Sequence, residues 1–290
     1  MTPKVSVILP SYNHEQYVEA AVRSVMGQTG VDFELIVIDD GSKDRSPEIL
    51  KRLSEELGFK YIHRPNKGVV ATLNELLALT CGRYVCSFSS DDIMPPDRLK
   101  KQSDFLEAHP DAVACFGQIV PLYDDGSLGE MDVRYLRSVP QVTFEESFLG
   151  KKALHGCAEM FVREKIVAFG GYDSRYYFED YPLYLKILYE YGPQPVSKDF
   201  VCCYYREHGD NMHVFHDRIY REILRILRDN YSLHPLYKKA VRAWKANWFS
   251  AVAAQSSLAA FRLIPQVIPL SPRFWLRLPK LFIPKNLLKF

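Results

Sequence analysis

The chain has 290 residues, of which 47% are hydrophobic and 25% charged, the proportions of an ordinary globular protein. They exclude a disordered chain, a collagen and a multi-span membrane protein, and no internal repeat indicates a solenoid. Residues 230–290 contain ten Lys and Arg but no Asp or Glu, so a total charge of +2 leaves −8 on residues 1–229. An acidic body with a basic C-terminal segment indicates an anionic partner, either a membrane surface or a nucleic acid.

The first hundred residues alternate between strand and helix patterns. Apolar runs predict strands at 5–9, 34–38, 60–63 and 84–88, and periodic apolar positions predict helices at 15–26, 46–57 and 69–80. Ser46 followed by Pro47 is typical of a helix start, and Gly58 of a helix end. Strands that alternate with helices of about ten residues predict a parallel sheet with right-handed crossovers and helices on both faces.

The second half of the chain is less regular. Strands are predicted at 112–122, 158–162 and 200–205, and helices at 179–191 and from about 213 to 261. Prolines at 265, 269, 272, 279 and 284 are expected to break any long helix beyond that point. The uncharged stretch 246–261 is too short and too polar for a membrane-spanning helix.

The N-terminus and the cysteines indicate the cellular compartment in which the protein is expected. A strand-like run follows a single Lys at the start of the chain, so no signal peptide is expected. The six cysteines include no CxxC spacing and sit mostly in apolar runs. We therefore expect reduced, buried thiols of a cytosolic protein, rather than disulfides or a zinc site.

Polar residues follow each of the first four predicted strands. They are Ser11, Tyr12 and Asn13, then Asp39 and Asp40, then Asn66 and Lys67, and finally Asp91 and Asp92. Each group alone could be an ordinary turn or helix cap, because Asp, Asn and Ser are common there. Ligands of open α/β sheets bind at the carboxyl ends of the strands, so four such groups on one rim predict a binding site.

The sequence also lacks several motifs that would mark other kinds of site. There is no GxGxxG after the first strand, no GxxxxGK[ST], no HExxH and no GxSxG. Clustered carboxylates without a catalytic Ser or Cys signature indicate a hard divalent metal such as Mg²⁺ or Mn²⁺, for which a diphosphate is a natural companion.

Seven short motifs together resemble the inverting family 2 glycosyltransferases, which have the GT-A fold. They are 5–13 (VSVILPSYN), 37–42 (VIDDGS), 66–68 (NKG) with Asn74, 90–92 (SDD) with Pro96, 170–173 (GGYD), 179–180 (ED) and 205–208 (YREH). The resemblance covers about residues 4–210. It implies an α/β fold with a mostly parallel central sheet and helices on both faces, extended here by a helical, basic C-terminal segment.

The resemblance also implies a role for each matching residue on the donor side. Pro10 and Tyr12 would pack beside the nucleotide base, and Asp39 would accept a hydrogen bond from a uracil-like N–H. Asp91 would hold the ribose or the sugar. Asn13, Asn66 and Gly68 are further expected nucleotide-sugar contacts.

The remaining roles concern the diphosphate, the metal and the acceptor. Asp92 would bind the metal, Mn²⁺ or Mg²⁺, and His208 would complete its ligand shell. Arg206 would lie near the diphosphate, and Asp180 would be the catalytic base. Many family members carry an Asp two residues before the acidic pair, where this chain has Ser89, so the number of protein ligands to the metal stays open.

The sequence thus predicts a metal-dependent transferase that moves a sugar from a nucleotide diphosphate, with UDP expected, to a glycan or lipid-linked glycan in cell-surface polysaccharide synthesis. The expected division is a nucleotide-sugar half at 1–110, an acceptor half at 111–230 and an amphipathic extension at 231–290. That extension is expected to dock the enzyme on the inner, anionic face of a membrane, and a homo-oligomer is a further option.

Two alternatives use the same features differently. A metal-dependent phosphohydrolase or nucleotidyltransferase would need the carboxylates but not Asp180. A nucleic-acid-binding protein would use the basic segment, although its charges are interleaved with large apolar residues, as in 274–283 (FWLRLPKLFI). We therefore expect no nucleic acid partner.

Overall fold

The computed structural model describes residues 2–130, 141–152, 154–207 and 216–267. The chain folds into two compact units. The first comprises Met1–Phe144 and Leu154–His208, and the second comprises Glu145–Ala153 and Gly209–Phe290. This division is structural, and the functional division at residues 110 and 230 stays a prediction.

The first unit is built on an eight-stranded sheet. Its strands are β1 (Val5–Ser11), β2 (Phe33–Asp39), β3 (Lys60–His63), β4 (Tyr84–Ser87), β5 (Ala114–Leu122), β6 (Gln141–Val142), β7 (Glu159–Val162) and β8 (Gln194–Arg206). They lie in the order β3-β2-β1-β4-β7-β5-β8-β6. The first four strands pair in parallel, β5 also pairs in parallel with β8, and β7 runs antiparallel to both of its neighbours. The mostly parallel α/β sheet expected from the sequence is confirmed.

Helices cover both faces of this sheet. They are α1 (Val18–Met26), α2 (Ser46–Leu57), α3 (Val69–Ala78), α4 (Arg98–Ala108), α6 (Arg163–Ala168) and α7 (Asp180–Tyr191), whereas the short α5 (Phe144–Phe148) belongs, apart from Phe144, to the second unit. Side chains alternate along β1, so Val7 and Leu9 face α1, α2 and α4, while Ile8 faces the layer formed by α3, α6 and α7. The carboxyl ends of β1, β2 and β4 consequently meet along one edge.

Several boundaries differ from the predictions for physical reasons. Helix α4 was not predicted because its buried face contains only two large apolar side chains, Leu99 and Leu106, beside Gln102 and Ser103. Strand β8 begins six residues before the predicted strand, because polar residues at 197–199 interrupt its apolar pattern. Two register shifts against β5 accommodate this irregular stretch.

The second unit is helical in its described part. It contains α8 (His216–Tyr231), α9 (Tyr237–Gln255) and α10 (Ser257–Val267) around a core that includes Trp248, Phe249 and Leu263. The expectation that the prolines after 261 break the helix is wrong at Pro265, which lies inside α10. Pro265 is exposed and cannot donate the helical backbone hydrogen bond, but Leu263 and Val267 on either side of it are buried in the core of this unit and hold the helix in place.

Residues 268–290, the last 23 residues of the predicted amphipathic extension at 231–290, lie outside the described residues. In the part of the chain that is described, every helix is too short or too polar to cross a membrane.

Candidate active site

The carboxyl end of β2 supplies two buried aspartates with different partners. Asp39 is fully buried, and its carboxylate accepts hydrogen bonds from the backbone N–H of Ser42 (2.9 Å) and the Ser42 hydroxyl (2.5 Å). The Nδ1 atom of His63 lies 2.9 Å from the same carboxylate. Asp39 therefore fixes the turn after β2 and ties it to the end of β3, while its expected contact with the base stays a prediction.

Asp40 organises the loop that carries Asn66 and Gly68. Its two carboxylate oxygens accept the backbone N–H groups of Lys67 (2.8 Å) and Gly68 (2.9 Å), and it forms a buried ion pair with Arg64. The sequence pattern did not single out Arg64. A cation two residues before the Asn66-Lys67-Gly68 motif gave no signal without knowledge that Asp40 is buried.

Gly41 lets these two loops approach each other. Its φ of +77° lies in the left-handed region, and a Cβ atom there would lie 2.7 Å from the backbone nitrogen of Asn66. Asn66 itself is exposed, beside Asp40 and Gly68. The predicted donor residues after β2 and β3 thus belong to one hydrogen-bonded assembly.

The residues after β1 join the same assembly. Asn13 adopts a φ of +54°, its backbone N–H donates to the Ser42 hydroxyl (2.8 Å), and its side-chain oxygen accepts the N–H of Lys43 (2.8 Å). Tyr12 is 46% exposed, which leaves its ring available to a ligand. Pro10 pairs with Ile38 in the sheet, directly before these residues.

The acidic pair follows β4 and contacts the end of β8. The fully buried Asp92 accepts the backbone N–H of Arg206 with Oδ1 (2.9 Å), and the Arg206 guanidinium donates through Nε to the backbone oxygen of Asp91 (2.9 Å). The structure therefore brings the predicted residues Asp91, Asp92 and Arg206 together, although Arg206 is 114 residues away in the chain. His208 lies outside the described residues.

Asp92 carries an unsatisfied oxygen. Oδ2 is buried and has no hydrogen-bond partner among the described residues. Burial, followed by the nearby charge of Asp91, raises the pKa of Asp92 to about 8. A buried carboxylate with a free oxygen beside a second carboxylate has the donor chemistry of a divalent cation site, since a bound cation would offset both the desolvation and the repulsion. The residues present thus fit a hard metal.

His14 makes a contact that the sequence analysis did not predict. Its Nδ1 atom lies 2.7 Å from the hydroxyl of Ser90, next to the acidic pair, and its backbone N–H donates to Ser46 at the start of α2 (3.0 Å). His14 directly follows the predicted residue Asn13, and only this adjacency could have suggested it from the sequence.

Asp180 lies at the first residue of α7 in a half-buried position. Its Oδ1 atom accepts the backbone N–H of Tyr181 (2.5 Å), and burial raises its pKa to about 6. A Cβ atom on Gly156 would lie 3.6 Å from Oδ2, and the next residue, Cys157, has its sulfur within 4.8 Å of the Asp92 carboxylate. Residues 156–157 therefore connect the surroundings of the predicted base with those of the acidic pair.

Two further carboxylates surround Asp180. Glu179 precedes it, and burial and the charge of Asp180 raise the Glu179 pKa to about 7. Glu159 in β7 is almost fully buried and accepts hydrogen bonds from Tyr184 on α7 and from the Ser87 hydroxyl (2.8 Å). Burial raises the pKa of Glu159 well above its ordinary value, and the charges of Asp180 and Glu179 add to the shift.

Glu159 was missed by the sequence analysis, which assigned 158–162 only as a strand. The one charged residue in that apolar run was the available signal, because a buried carboxylate needs hydrogen-bond donors.

Comparison with known proteins agrees with this geometry. The model of the family "Glycosyl transferase family 2" matches residues 6–168, more than half of the chain. The chain belongs to glycosyl transferase family 2. This match contains the ends of β1, β2 and β4 and the residues Gly156, Cys157 and Glu159, while Asp180 and Arg206 lie beyond it.

Curated relatives of this family 2 chain are named for polysaccharide synthesis or simply as glycosyltransferases. The chain is 30% identical over 163 residues to a Bacillus subtilis protein named as a teichuronic acid biosynthesis glycosyltransferase (TuaG), covering 55% of this chain and 62% of that protein. It is 36% identical over 143 residues to the Bacillus subtilis glycosyltransferase EpsE, covering 48% of this chain and 50% of EpsE. The chain thus spans less than two thirds of these relatives.

Solved structures show the same fold at low sequence identity. The mannosyltransferase PcManGT from Pyrobaculum calidifontis, in complex with GDP-Man and Mn²⁺, superposes with a TM-score of 0.64 at 20% identity, covering 99% of this chain and 88% of that one. Residues 1–349 of S. aureus TarS, in complex with UDP-GlcNAc, give a TM-score of 0.62 at 18% identity, covering 93% and 89%. The GT-A type fold expected from the sequence is confirmed.

Proposed function

We propose that this chain transfers a sugar, with inversion, from a nucleoside diphosphate donor to a hydroxyl group of a glycan or lipid-linked glycan in cell-surface polysaccharide synthesis. The observation that carries the proposal is the juxtaposition of the acidic pair at the end of β4 with Asp180, through residues 156–157. Family membership supports a transferase over a phosphohydrolase or nucleotidyltransferase. The name of TuaG supports a polysaccharide acceptor.

The donor would lie across the ends of β1, β2 and β4. Tyr12 would cover the base and Asp39 would accept its N–H, while Asp91 would hold the ribose or sugar. The loop fixed by Asp40 presents Asn66 and Gly68 to the same edge, and it would also contact the donor. UDP is the donor nucleotide that we propose, although PcManGT was solved with GDP-Man, so both nucleotides belong in the test.

Asp92, together with His208, would hold Mn²⁺ or Mg²⁺. When bound, such a cation would act as a Lewis acid that neutralises charge on the departing diphosphate. The free Oδ2 of Asp92 is the available protein ligand in the described residues, and PcManGT carries Mn²⁺ on the same fold. Arg206, held against Asp91 and Asp92, would add a fixed positive charge near the diphosphate.

Asp180 would take the proton from the acceptor hydroxyl as that oxygen attacks the anomeric carbon. A general base contributes about 10²–10⁴-fold when its pKa lies near the working pH. The raised pKa of about 6 meets this condition, since the carboxylate is ionised at neutral pH and is a stronger base than an exposed Asp. Attack from the face opposite the diphosphate would invert the configuration.

The test combines ligand binding with transfer. Thermal-shift measurements would screen UDP, GDP and their sugars with and without Mn²⁺, on the wild type, Asp92→Asn and the control Asp97→Asn, which removes an exposed carboxylate paired with Lys101. A ligand at 100 times its Kd should add about 2.7 kcal/mol of stability.

We expect Mn²⁺-dependent stabilisation by one nucleotide in the wild type and in Asp97→Asn, and its loss in Asp92→Asn. Transfer of labelled sugar to a glycan acceptor should follow the same pattern. Release of free phosphate without transfer would favour the hydrolase, and full transfer in excess EDTA would refute the metal.

We further propose that the second unit docks on the anionic inner face of a membrane. Residues 230–290 carry ten positive and no negative charges, and α10 exposes Leu258 (64%) and Phe261 (67%) beside Arg262. Basic residues near an anionic leaflet contribute about 1 kcal/mol each, and buried apolar side chains add about 25 cal/mol per Å². The enzyme would thus be cytoplasmic and peripheral.

Point variants test docking better than truncation at residue 230, because α8 packs against α9 through the stacked rings of Tyr220 and Trp248. Leu258→Ser with Phe261→Ser should reduce cosedimentation with phosphatidylserine-containing vesicles. Leu128→Ser, which changes an exposed leucine of the first unit, is the control. If the wild type ignores these vesicles at low salt, the docking proposal fails.

A further inference from the structure

Three potential metal ligands from distant parts of the chain meet behind the acidic pair. The carboxylate of Asp92, after β4, and the sulfur atoms of Cys157, in the 3₁₀ turn Gly156–Ala158, and Cys203, in β8, all lie within 4.8 Å of one another. All three residues are buried. The sequence analysis did not anticipate this cluster because its two cysteines are 46 residues apart and far from any CxxC spacing.

The cluster contains an acceptor that lacks a donor. Asp92 Oδ2 is completely buried without a hydrogen-bond partner among the described residues, although Oδ1 accepts the N–H of Arg206. Leaving a buried polar atom unsatisfied costs about 1–3 kcal/mol. The sulfur atoms of Cys157 and Cys203 lie within 4.8 Å of each other and of the Asp92 carboxylate.

A buried positive charge lies close to these groups. Arg98 is fully buried; its Nε atom donates to Gln102 (2.9 Å) and its Nη2 atom to the backbone oxygen of Glu159 (2.9 Å), whereas Nη1 has no partner in the described part of the chain. No described carboxylate forms an ion pair with it, yet its charge interacts with Asp92 and with the sulfur atoms of four buried cysteines, Cys86, Cys202, Cys203 and Cys157. Buried charges are normally paired.

We propose that Asp92, Cys157 and Cys203 form a binding site for one thiophilic divalent cation of the Zn²⁺ or Cd²⁺ class. Two thiolates and one carboxylate are a ligand set that such ions favour over Mg²⁺ and Mn²⁺, and three protein ligands is the number found in open zinc sites. Binding releases the two thiol protons to solvent, together with the Asp92 proton wherever that carboxyl is protonated. The three negative charges are then balanced by the cation and by Arg98, which gains the counter-charge that it lacks.

This site has a consequence for the reaction. Because Asp92 is also the ligand that we assign to the hard metal, a thiophilic cation would withdraw it and inhibit transfer. The inhibition rests on the proposed function, whereas binding of the cation does not, so the two are measured separately.

Binding is measured by titrating the full-length protein with Cd²⁺ in a non-thiol reductant and recording the ultraviolet thiolate-to-Cd²⁺ charge-transfer band. All proteins carry Cys81→Ser, which removes the exposed thiol. We expect a band that saturates at one equivalent. Since even outer-shell partners change metal affinity by about 10–100-fold, Cys157→Ser and Cys203→Ser should each weaken binding by more than about 100-fold.

Cys202→Ser is the matched control, because Cys202 is the buried neighbour of Cys203 in β8 but is not part of the cluster. It should keep wild-type Cd²⁺ affinity. Equal loss in Cys202→Ser, or an unchanged band in Cys157→Ser with Cys203→Ser, would overturn the site.

A second measurement needs no substitution at Cys157 or Cys203, so it still tests the site if those serine variants fail to fold. Cd²⁺ should slow alkylation of Cys157 and Cys203 in the Cys81→Ser protein at least tenfold relative to Cys202, as read by peptide mass spectrometry. Equal protection of all three overturns the site.

Inhibition of transfer by Cd²⁺ at the same concentration, lost in Cys157→Ser, would support the competition for Asp92. Binding without inhibition would refute the shared role of Asp92 but leave the cation site intact.

Discussion

Replacing Asp180 by Asn should make the protein more stable and less active at the same time. The carboxylate is held where burial raises its pKa from 3.8 to about 6. The substitution preserves size and the acceptor for the Tyr181 N–H, so its main effect is to remove a group that must ionise in a desolvated position. Catalytic groups often carry such a cost to stability.

The sign and size follow from linkage. Below about pH 4, Asp180 is protonated in both the folded and the unfolded protein and does not affect stability. As the pH rises through about 6, the unfolded chain loses its proton first, so the free energy of unfolding falls and stays lower. A shift of about two pKa units corresponds to about 3 kcal/mol. Asp180→Asn should therefore unfold about 5 °C higher than the wild type at pH 8, but at the same temperature at pH 4.

The assay is thermal unfolding at both pH values together with turnover at pH 8. We expect kcat to fall by about 10²–10⁴-fold, with donor binding retained. The wild-type pH profile should lose activity about tenfold per pH unit below about pH 6, where Asp180 is protonated.

Asp173→Asn is the control of opposite sign. Hydrogen bonding to Arg175 lowers the pKa of Asp173, so its removal should cost stability at neutral pH, by less than about 1 kcal/mol because the pair is largely exposed. If Asp180→Asn shows no pH-dependent gain in stability, burial does not raise the pKa of this carboxylate. If the variant keeps wild-type turnover, Asp180 is not the base.

Three further substitutions probe the supports of the site by chemical denaturation. Gly41→Ala should lower the free energy of unfolding by about 1–3 kcal/mol, because its Cβ would lie 2.7 Å from the Asn66 nitrogen. Gly58→Ala, at a similar φ but in open space, should lower it less, and equal losses would rule out the clash. Tyr184→Phe should cost about 1–3 kcal/mol and raise the Glu159 pKa further by removing a donor, while the exposed Tyr189→Phe should have little effect. Arg64→Met leaves Asp40 buried without its cationic partner and should lower the free energy of unfolding by about 3–5 kcal/mol. Lys67→Met, at an exposed ion pair, should lower it by less than about 1 kcal/mol. A similarly small loss in both variants would show that the Arg64–Asp40 ion pair does not stabilise the fold.

The parts of the fold that could be predicted are those with local signals. Strand β3 and helix α2 begin and end as predicted, because their apolar periodicity and flanking Ser46-Pro47 and Gly58 lie within a few residues of one another. Helix α4 was missed because its packing depends on the buried polar residues Gln102 and Ser103, which look like solvent-facing positions in the sequence.

The candidate site shows the same limit. Asp39, Asp92 and Asp180 were found by motif, but their burial and partners come only from the fold. The contact between Tyr184 and Glu159 joins residues that are 25 positions apart, and the contact between Arg206 and Asp92 spans 114. No pattern in either segment specifies its partner, since the first contact depends on the packing of α7 against the sheet and the second on the isolated bridge between Ile93 and Tyr204.

The three carboxylates around α7 bear on the proposal that Asp180, and not a neighbour, serves as the base. Glu159 is the most deeply buried and keeps its proton to high pH, and Glu179 has a pKa of about 7, whereas Asp180 has a pKa of about 6. Asp180 therefore ionises first as the pH rises. Its negative charge then raises the pKa of both glutamates, so Glu179 and Glu159 lose their protons at higher pH than Asp180. Environments that separate the pKa values of neighbouring acids favour different roles for them, and this separation supports the proposal that Asp180 is the base.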